Sequence, residues 1–203
     1  MTPYLLFLAV ATATVFSPGP GVLMTLTNAL QSGFKGTVSG ILGIAVGALI
    51  VAGISATSLG LLLAASALAF TVLKLIGAAY LIYLGVKLWR APPLHFDTGV
   101  AARPRFGRRF VEGLSLQLTN PKAIFFFLSV FPQFIDPGRD YAVQFASLVL
   151  TYSALVVLIH CGYALFAQRA KGWLSAPRGG RLLNRLGGAT FIGFGAALAT
   201  AKR

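Results

Sequence analysis

The sequence predicts an all-α integral membrane protein with six transmembrane helices, arranged as two inverted three-helix repeats with proline-broken helices 1 and 4. Three observations predict this fold: an apolar composition, six apolar segments of spanning length, and proline motifs inside the first and fourth segments. Of the 203 residues, 57% are hydrophobic and only 10% are charged, whereas a soluble domain carries about 25% charged residues. The chain therefore lacks the polar residues that would cover a globule in water, and lipid is its expected solvent.

Each of the six apolar segments reaches the length of about 20 residues that a helical membrane crossing requires. The segments run approximately over residues 3–30, 37–62, 66–89, 111–134, 142–168 and 182–201. Only residues 63–65 separate the second segment from the third, so these two are expected to form a tight hairpin. A five-span arrangement that merges or drops one segment is the alternative.

The lysines and arginines predict the orientation of these segments. With the N-terminus outside, nearly all basic residues between the segments fall in inner loops, and the outer regions hold only Arg139, Lys202 and Arg203. Positive loops favour the cytoplasmic side, so both termini are predicted to lie outside. The net charge of +13 comes from these loops; with no basic domain outside the spans, it does not indicate nucleic-acid binding.

The whole chain, residues 1–203, is predicted to form a single transmembrane domain. Repeat 1 covers approximately residues 1–90, a cytoplasmic linker approximately 91–110, and repeat 2 approximately 111–203. At one constant offset, Gly77 and Gly85 of the third segment recur as Gly187 and Gly195 of the sixth. Three spans per half insert the second half upside down, and such inverted repeats are the architecture of many secondary carriers.

The first proline motif interrupts the first segment at Ser17, Pro18, Gly19 and Pro20. Each proline removes a backbone donor and clashes with the preceding turn, so protein groups or cavity water must satisfy the freed carbonyls. Ser17 is expected to cap a new helix, with Pro18 at its first position. Interrupted helices in carriers form the substrate site, so these four residues are predicted to contact the substrate.

The second motif repeats this pattern at Asn120, Pro121 and Lys122, with Asn120 as the expected helix cap. The two new helix starts are predicted to face each other across the membrane midplane, where their free amides and partial positive charges suit a carboxylate. The alternative is a pair of kinks that helix packing accommodates.

Lys122 lies near the centre of the fourth segment, where a charged residue costs about 2.5–3.5 kcal/mol. It is predicted to neutralise a substrate carboxylate or to titrate during transport; the alternative is a bond to carbonyls that the prolines free. Gln117 and Asn28 are further candidate substrate contacts, or else helix–helix hydrogen bonds.

Possible proton carriers are few, because no acidic residue lies at the centre of a segment. Lys122, His160 and Glu112 are the candidates for proton coupling. The sequence contains no P-loop pattern, no carboxylate set for a metal and no cluster of catalytic groups. We therefore expect no enzyme activity, no cofactor and no metal, with transport driven by a gradient or by a partner protein.

Three motifs together resemble a known family. The first-segment motif is similar to the Pro-Gly-Pro signature of the lysine-exporter (LysE) superfamily, and the sequences Gly77-Ala78-Ala79-Tyr80-Leu81 and Asn120-Pro121-Lys122-Ala123 resemble its third- and fourth-span patterns. The chain most resembles the homoserine/threonine exporter (RhtB) type of amino-acid translocator. Length, motif order and spacing agree across nearly the whole chain.

The resemblance implies export of amino acids or close derivatives across a bacterial inner membrane in exchange for protons, with both termini in the periplasm. The scarcity of acidic residues in the segments favours a neutral amino acid. A channel-like or structural membrane subunit, or an exporter of a different small solute, is the alternative. The expected partners are the substrate, protons and lipids, and the sequence is compatible with a monomer or a homo-oligomer.

Overall fold

The computed structural model describes residues 3–65, 67–93, 105–136, 138–174 and 176–200. This part of the chain is helical apart from short connections and contains no strand, which confirms the all-α prediction. The helices are α1 (Pro3–Phe16), α2 (Pro20–Ala65), α3 (Ala67–Arg90), α4 (Phe106–Leu118), α5 (Pro121–Phe125), α6 (Tyr141–Arg169), α7 (Lys171–Leu174) and α8 (Pro177–Thr200). After α5 the chain continues as a π-helical turn (Phe126–Val130) and a 3₁₀ turn (Phe131–Phe134). Most of the predicted linker, residues 94–104, and residue 66 of the predicted hairpin lie outside the described residues.

Helix α2 reverses direction at Gly33, whose φ of 71° is readily adopted only by glycine. The helical residues on either side pack against each other: a β-carbon at Gly40 would lie 3.1 Å from Cε of Met24. α2 therefore has two antiparallel limbs, residues 20–32 and 34–65. The sequence predicts a loop between the first and second segments, and this prediction is wrong because a single left-handed glycine makes the reversal.

The helices of the two predicted repeats interleave. α1 packs against α6 and α4 packs against α2, so the first helix of each half contacts the long helix of the other half. α2 and α6 also contact each other, and α3 pairs with α8.

Glycine permits the closest of these contacts. A β-carbon at Gly43 would overlap the carbonyl oxygen of Phe110, and one at Gly113 would overlap that of Gly40, so α2 and α4 meet backbone to backbone. In the α3–α8 pair, a β-carbon at Gly85 would lie 2.7 Å from the Gly188 carbonyl oxygen. Small residues of this kind allow membrane helices to approach closely.

The helix ends follow local chemistry as well as hydropathy. α6 matches the predicted fifth segment closely because the carboxylate of Asp140 caps it, accepting a 2.8 Å hydrogen bond from the Val143 amide. α4 and α8 begin before the predicted segments, at Phe106 and Pro177. Their first turns carry arginines, which are good helix formers although they are not apolar. By length and hydropathy alone, two described helical stretches qualify as membrane spans, Pro20–Ala56 and Tyr141–Arg169; the first contains the reversal at Gly33 and is therefore not a single crossing.

Candidate functional site

The first interruption lies between α1 and α2. The Ser17 amide still continues α1, donating to the Ala13 carbonyl at 3.0 Å, and the Ser17 hydroxyl donates to the Thr14 carbonyl at 2.7 Å. The next helix begins at Pro20. The prediction that Ser17 caps the new helix, with Pro18 at its first position, is therefore wrong: the serine side chain turns back to finish α1.

Proline chemistry identifies which carbonyls lose their donors at this interruption. An α-helical amide bonds the carbonyl four residues earlier, so Pro18 frees Thr14 and Pro20 frees Phe16. The Lys122 ammonium donates to the Thr14 carbonyl at 2.9 Å, and the Tyr163 hydroxyl donates to the Phe16 carbonyl. Both donors come from the second half of the chain, which therefore completes the broken end of α1.

The Lys122 side chain is 8% exposed and makes two further hydrogen bonds. Its ammonium donates to the Ser17 carbonyl at 2.9 Å and to the Ser17 hydroxyl at 3.1 Å. A lysine ammonium has three donors, so all of them are engaged. The partial negative charge at the end of α1 also favours this cation. These are the carbonyl bonds that the sequence left open as an alternative, and a substrate carboxylate would have to displace one of them.

The second interruption separates α4 from α5. Asn120 is the helix cap, as predicted: its side-chain oxygen accepts a 3.1 Å hydrogen bond from the Lys122 amide, and Pro121 opens the helix. Pro121 frees the carbonyl of Gln117, which accepts the Asn120 amide at 3.2 Å. The Asn120 side-chain amide also donates to the Gln117 side chain at 3.3 Å. Residues of this interruption therefore satisfy its groups locally.

Two cavities adjoin the first interruption. One has a volume of about 440 Å³ and is lined by both helix starts, Pro20 and Pro121, together with Lys87 and Ala91 near the end of α3. Its remaining lining residues are apolar or aromatic: Leu23, Tyr80, Leu84, Leu88 and Phe191. The other, of about 920 Å³, lies between α1, α6 and α8 and is lined by Ser17 and Pro18 among mostly apolar side chains.

The remaining predicted residues lie at different distances from this centre. Gly19 belongs to it, since a β-carbon there would lie 3.1 Å from Nζ of Lys122. His160 is buried against the start of α2, with Nδ1 2.7 Å from the Thr25 hydroxyl. Glu112 is exposed near the start of α4. Asn28 is buried beside Gly40 at the α2–α4 contact rather than beside Lys122.

Sequence reasoning missed Thr14, Tyr163 and Thr25 as parts of this region. Counting four residues back from each proline would have identified the Thr14 carbonyl. Nothing in the local sequence distinguishes Tyr163 or Thr25 from ordinary residues of apolar helices, because their partners lie more than a hundred positions away.

The chain matches the family model of the LysE type translocator over residues 12–202. It is 36% identical over 196 residues to the homoserine/homoserine lactone efflux protein of Salmonella typhimurium strain LT2, covering 97% of this chain and 95% of the relative. The protein of the same name from Salmonella typhi is 35% identical over the same shares. An uncharacterized membrane protein of Vibrio cholerae is 34% identical, covering 94% of each chain.

No solved structure matches the chain. The family match spans nearly all of the sequence, including both interruptions, and it confirms the resemblance that the three motifs indicate. It also places the protein among membrane-embedded transporters rather than enzymes. The chain belongs to the LysE family of translocators.

Proposed function

We propose that the protein exports amino acids or close derivatives from the cytoplasm by secondary-active, proton-coupled transport with alternating access. The observation that carries this proposal is the cavity that both helix starts line, Pro20 from one repeat and Pro121 from the other. Helix starts offer free amides and a partial positive charge to a carboxylate. A site between two broken helices is where carriers of this architecture bind their substrates.

The six-span inverted repeat in the inner membrane is part of the proposal. α1 and α4 contain 14 and 13 residues, and at about 1.5 Å per residue neither alone crosses a hydrocarbon core of about 30 Å. Each crosses together with the short helical stretch after its interruption, with both termini outside. The exchanged packing of α1 on α6 and of α4 on α2 supports this arrangement.

We propose homoserine and its lactone as the substrates, because the Salmonella relatives are named for them. Both solutes are small and have no charged side chain, in agreement with the scarcity of acidic residues in the predicted spans. A cavity of about 440 Å³ falls within the size range of small-molecule sites, about 300–1,000 Å³.

Lys122 links the proposed site to the movement of the two repeats. Its hydrogen bonds to Thr14 and Ser17 hold the second repeat against the broken end of α1. An acceptor oxygen of the substrate, the carboxylate of homoserine or the ring carbonyl of its lactone, that takes over one of these bonds loosens this contact, and release of the substrate restores it. Lys122, His160 and Glu112 remain the candidates for the proton carrier, and Asn28, Gln117 and Asn120 the candidates for polar contacts with the substrate.

The test is export from proteoliposomes loaded with labelled homoserine, under an imposed proton gradient. The proposal predicts that the gradient accelerates efflux and that a protonophore slows it. It also predicts counterflow: unlabelled homoserine on the opposite side should exchange with the labelled homoserine inside. Efflux without counterflow would indicate a channel. Absence of efflux for homoserine, its lactone and a mixture of other amino acids, from protein with a cooperative unfolding transition, would overturn the proposal.

A further inference from the structure

A buried arginine at the α2–α4 contact lacks a counter-ion. Arg109 lies in the first turn of α4 and is only 3% exposed. Its Nη2 donates to the Ser32 hydroxyl at 2.9 Å, but Nε and Nη1 have no partner among the described residues. Arg109 also forms no ion pair with any described carboxylate. Since arginine remains protonated in proteins, this is a buried cation with most of its donors free.

Neighbouring groups compensate for this charge only in part. The first limb of α2 ends beside Ser32, and a helix end contributes only about half a negative charge. That partial charge favours a cation but supplies no acceptor for Nε or Nη1. Glu112, one turn further along α4, attracts Arg109 through its charge, but it is exposed and forms no ion pair with it. Buried donors without a partner are costly, so the local chemistry favours an anion here.

A second unpaired donor lies at the same helix contact. The side-chain nitrogen of Asn28, which is 4% exposed, also has no described partner. Asn28 and Ser32 are four residues apart on one limb of α2, so they share a helix face. A β-carbon at Gly40 would lie 3.5 Å both from this nitrogen and from the Arg109 carbonyl oxygen. The Asn28 amide therefore lies close to the Arg109 backbone, and the guanidinium contacts Ser32 one turn further along the same face of α2.

We infer that Arg109 and Asn28 form a receiving site for the carboxylate of the exported amino acid, at the basic inner end of the α2–α4 contact. This inference rests on the proposed function and adds a site separate from Lys122. The planar guanidinium matches a carboxylate with paired hydrogen bonds, and the Asn28 amide adds a third donor. The carboxylate supplies the missing counter-ion while the solute is bound on the cytoplasmic side, before it is transported.

Homoserine and its lactone test this inference directly, because the cyclic ester has no free carboxylate. Arg109→Gln is expected to raise the homoserine concentration that gives half-maximal efflux roughly tenfold to a hundredfold. The corresponding concentration for the lactone should stay unchanged. Arg108→Gln is the matched control: it removes the same charge from the neighbouring, exposed position and should affect neither solute. The lactone is used freshly dissolved at mildly acidic pH, since it hydrolyses to homoserine.

Asn28→Asp is a second variant that tests the inference even if Arg109→Gln does not fold. It places a fixed carboxylate on the face of α2 that carries Ser32, the residue in contact with the guanidinium. We therefore expect a higher unfolding temperature, loss of homoserine efflux and retained lactone efflux. Equal losses for both solutes in Arg109→Gln, or undiminished homoserine efflux in either variant, would overturn the inference.

A measurement without transport separates this inference from the proposed function. Homoserine should raise the unfolding temperature of the detergent-solubilised protein by more than its lactone does, and Arg109→Gln should abolish this extra shift. If the wild-type protein exports neither solute yet shows this shift, the proposed function fails and the site stands. If phosphatidylglycerol gives the Arg109-dependent shift and homoserine does not, the anion is a lipid phosphate and the inference is wrong.

Discussion

The two proline interruptions free equivalent backbone groups but differ in where the replacement donors come from. At the first, the Thr14 carbonyl accepts the local Ser17 hydroxyl, but two donors come from the other half of the chain: the Lys122 ammonium to Thr14 and the Tyr163 hydroxyl to Phe16. At the second, the freed carbonyl of Gln117 accepts an amide only three residues away.

This difference makes the first interruption dependent on the second repeat, whereas the second can form from its own residues. A conformational change that separates the repeats must therefore break hydrogen bonds at the first interruption and can leave the second intact. We therefore expect substitutions of the distant donors, Lys122 and Tyr163, to lower both stability and transport. Substitutions at the second interruption should instead act mainly on local helix stability.

Replacing Lys122 with Met is expected to have the largest effect. The variant removes the ammonium from both carbonyls: Thr14 keeps the Ser17 hydroxyl as a donor, but the Ser17 carbonyl loses the Lys122 bond, and an unsatisfied buried group costs about 1–3 kcal/mol. We expect gradient-driven efflux to fall to the background of protein-free liposomes and thermal unfolding in detergent to occur at a lower temperature.

Lys171→Met is the control for this variant, because it removes the same charge from an exposed position. It should retain both efflux and unfolding temperature. Wild-type efflux by Lys122→Met would show that the ammonium neither completes the first interruption nor serves the substrate, and the proposed dependence on the second repeat would fail.

Replacing Asn120 with Ala tests whether the second interruption is self-contained. The variant loses the helix cap and the hydrogen bond to the Gln117 side chain, which together are worth about 1–2 kcal/mol. We expect a lower unfolding temperature with efflux reduced in proportion to the folded fraction. Asn120→Ser keeps a capping oxygen and should recover most of the stability; complete loss of efflux in both variants would instead make Asn120 a substrate contact.

Proline and glycine act through the local backbone, and both predicted motifs lie where one described helix ends and the next begins. Sequence reasoning located α6 almost to the residue because Asp140 and Arg169 bound the apolar stretch. It also named the Asn120 cap, whose partner is two residues away. It misplaced the cap at Ser17, because a serine before proline can finish one helix as well as begin the next.

The partners of the first interruption could not be predicted in the same way. The Lys122 and Thr14 groups that bond are 108 positions apart, and only the packing of the two halves brings them together. Arg109 illustrates the same limit: in the sequence it is one of several loop arginines, and its burial depends on the backbone contact between Gly40 and Gly113.

Replacing Tyr163 with Phe tests the other distant donor with a smaller expected effect. The ring remains while the carbonyl of Phe16 loses its hydroxyl partner, and for a partly exposed group we expect a cost of about 0.5–1 kcal/mol. The unfolding temperature should fall slightly, and the loss of efflux should be several-fold smaller than the loss in Lys122→Met. Tyr141→Phe, at an exposed position of the same helix, is the control and should change neither quantity. Equal effects of the two variants would show that the Tyr163 hydroxyl is not a donor on which the first interruption depends.

Replacing Glu112 with Gln is expected to have the smallest effect. The variant tests whether the proton carrier lies at the start of α4 or at the first interruption. Its side chain is exposed near the start of α4, and substitutions at such positions change stability by less than about 0.5 kcal/mol, equivalent to roughly a twofold change in a rate or equilibrium. The measurement is homoserine efflux with and without a proton gradient. Acceleration by the gradient should persist, because the groups that join the repeats lie at the first interruption. Efflux that continues but no longer responds to the gradient would place the proton carrier at the inner end of α4, and the interruptions would then serve binding alone.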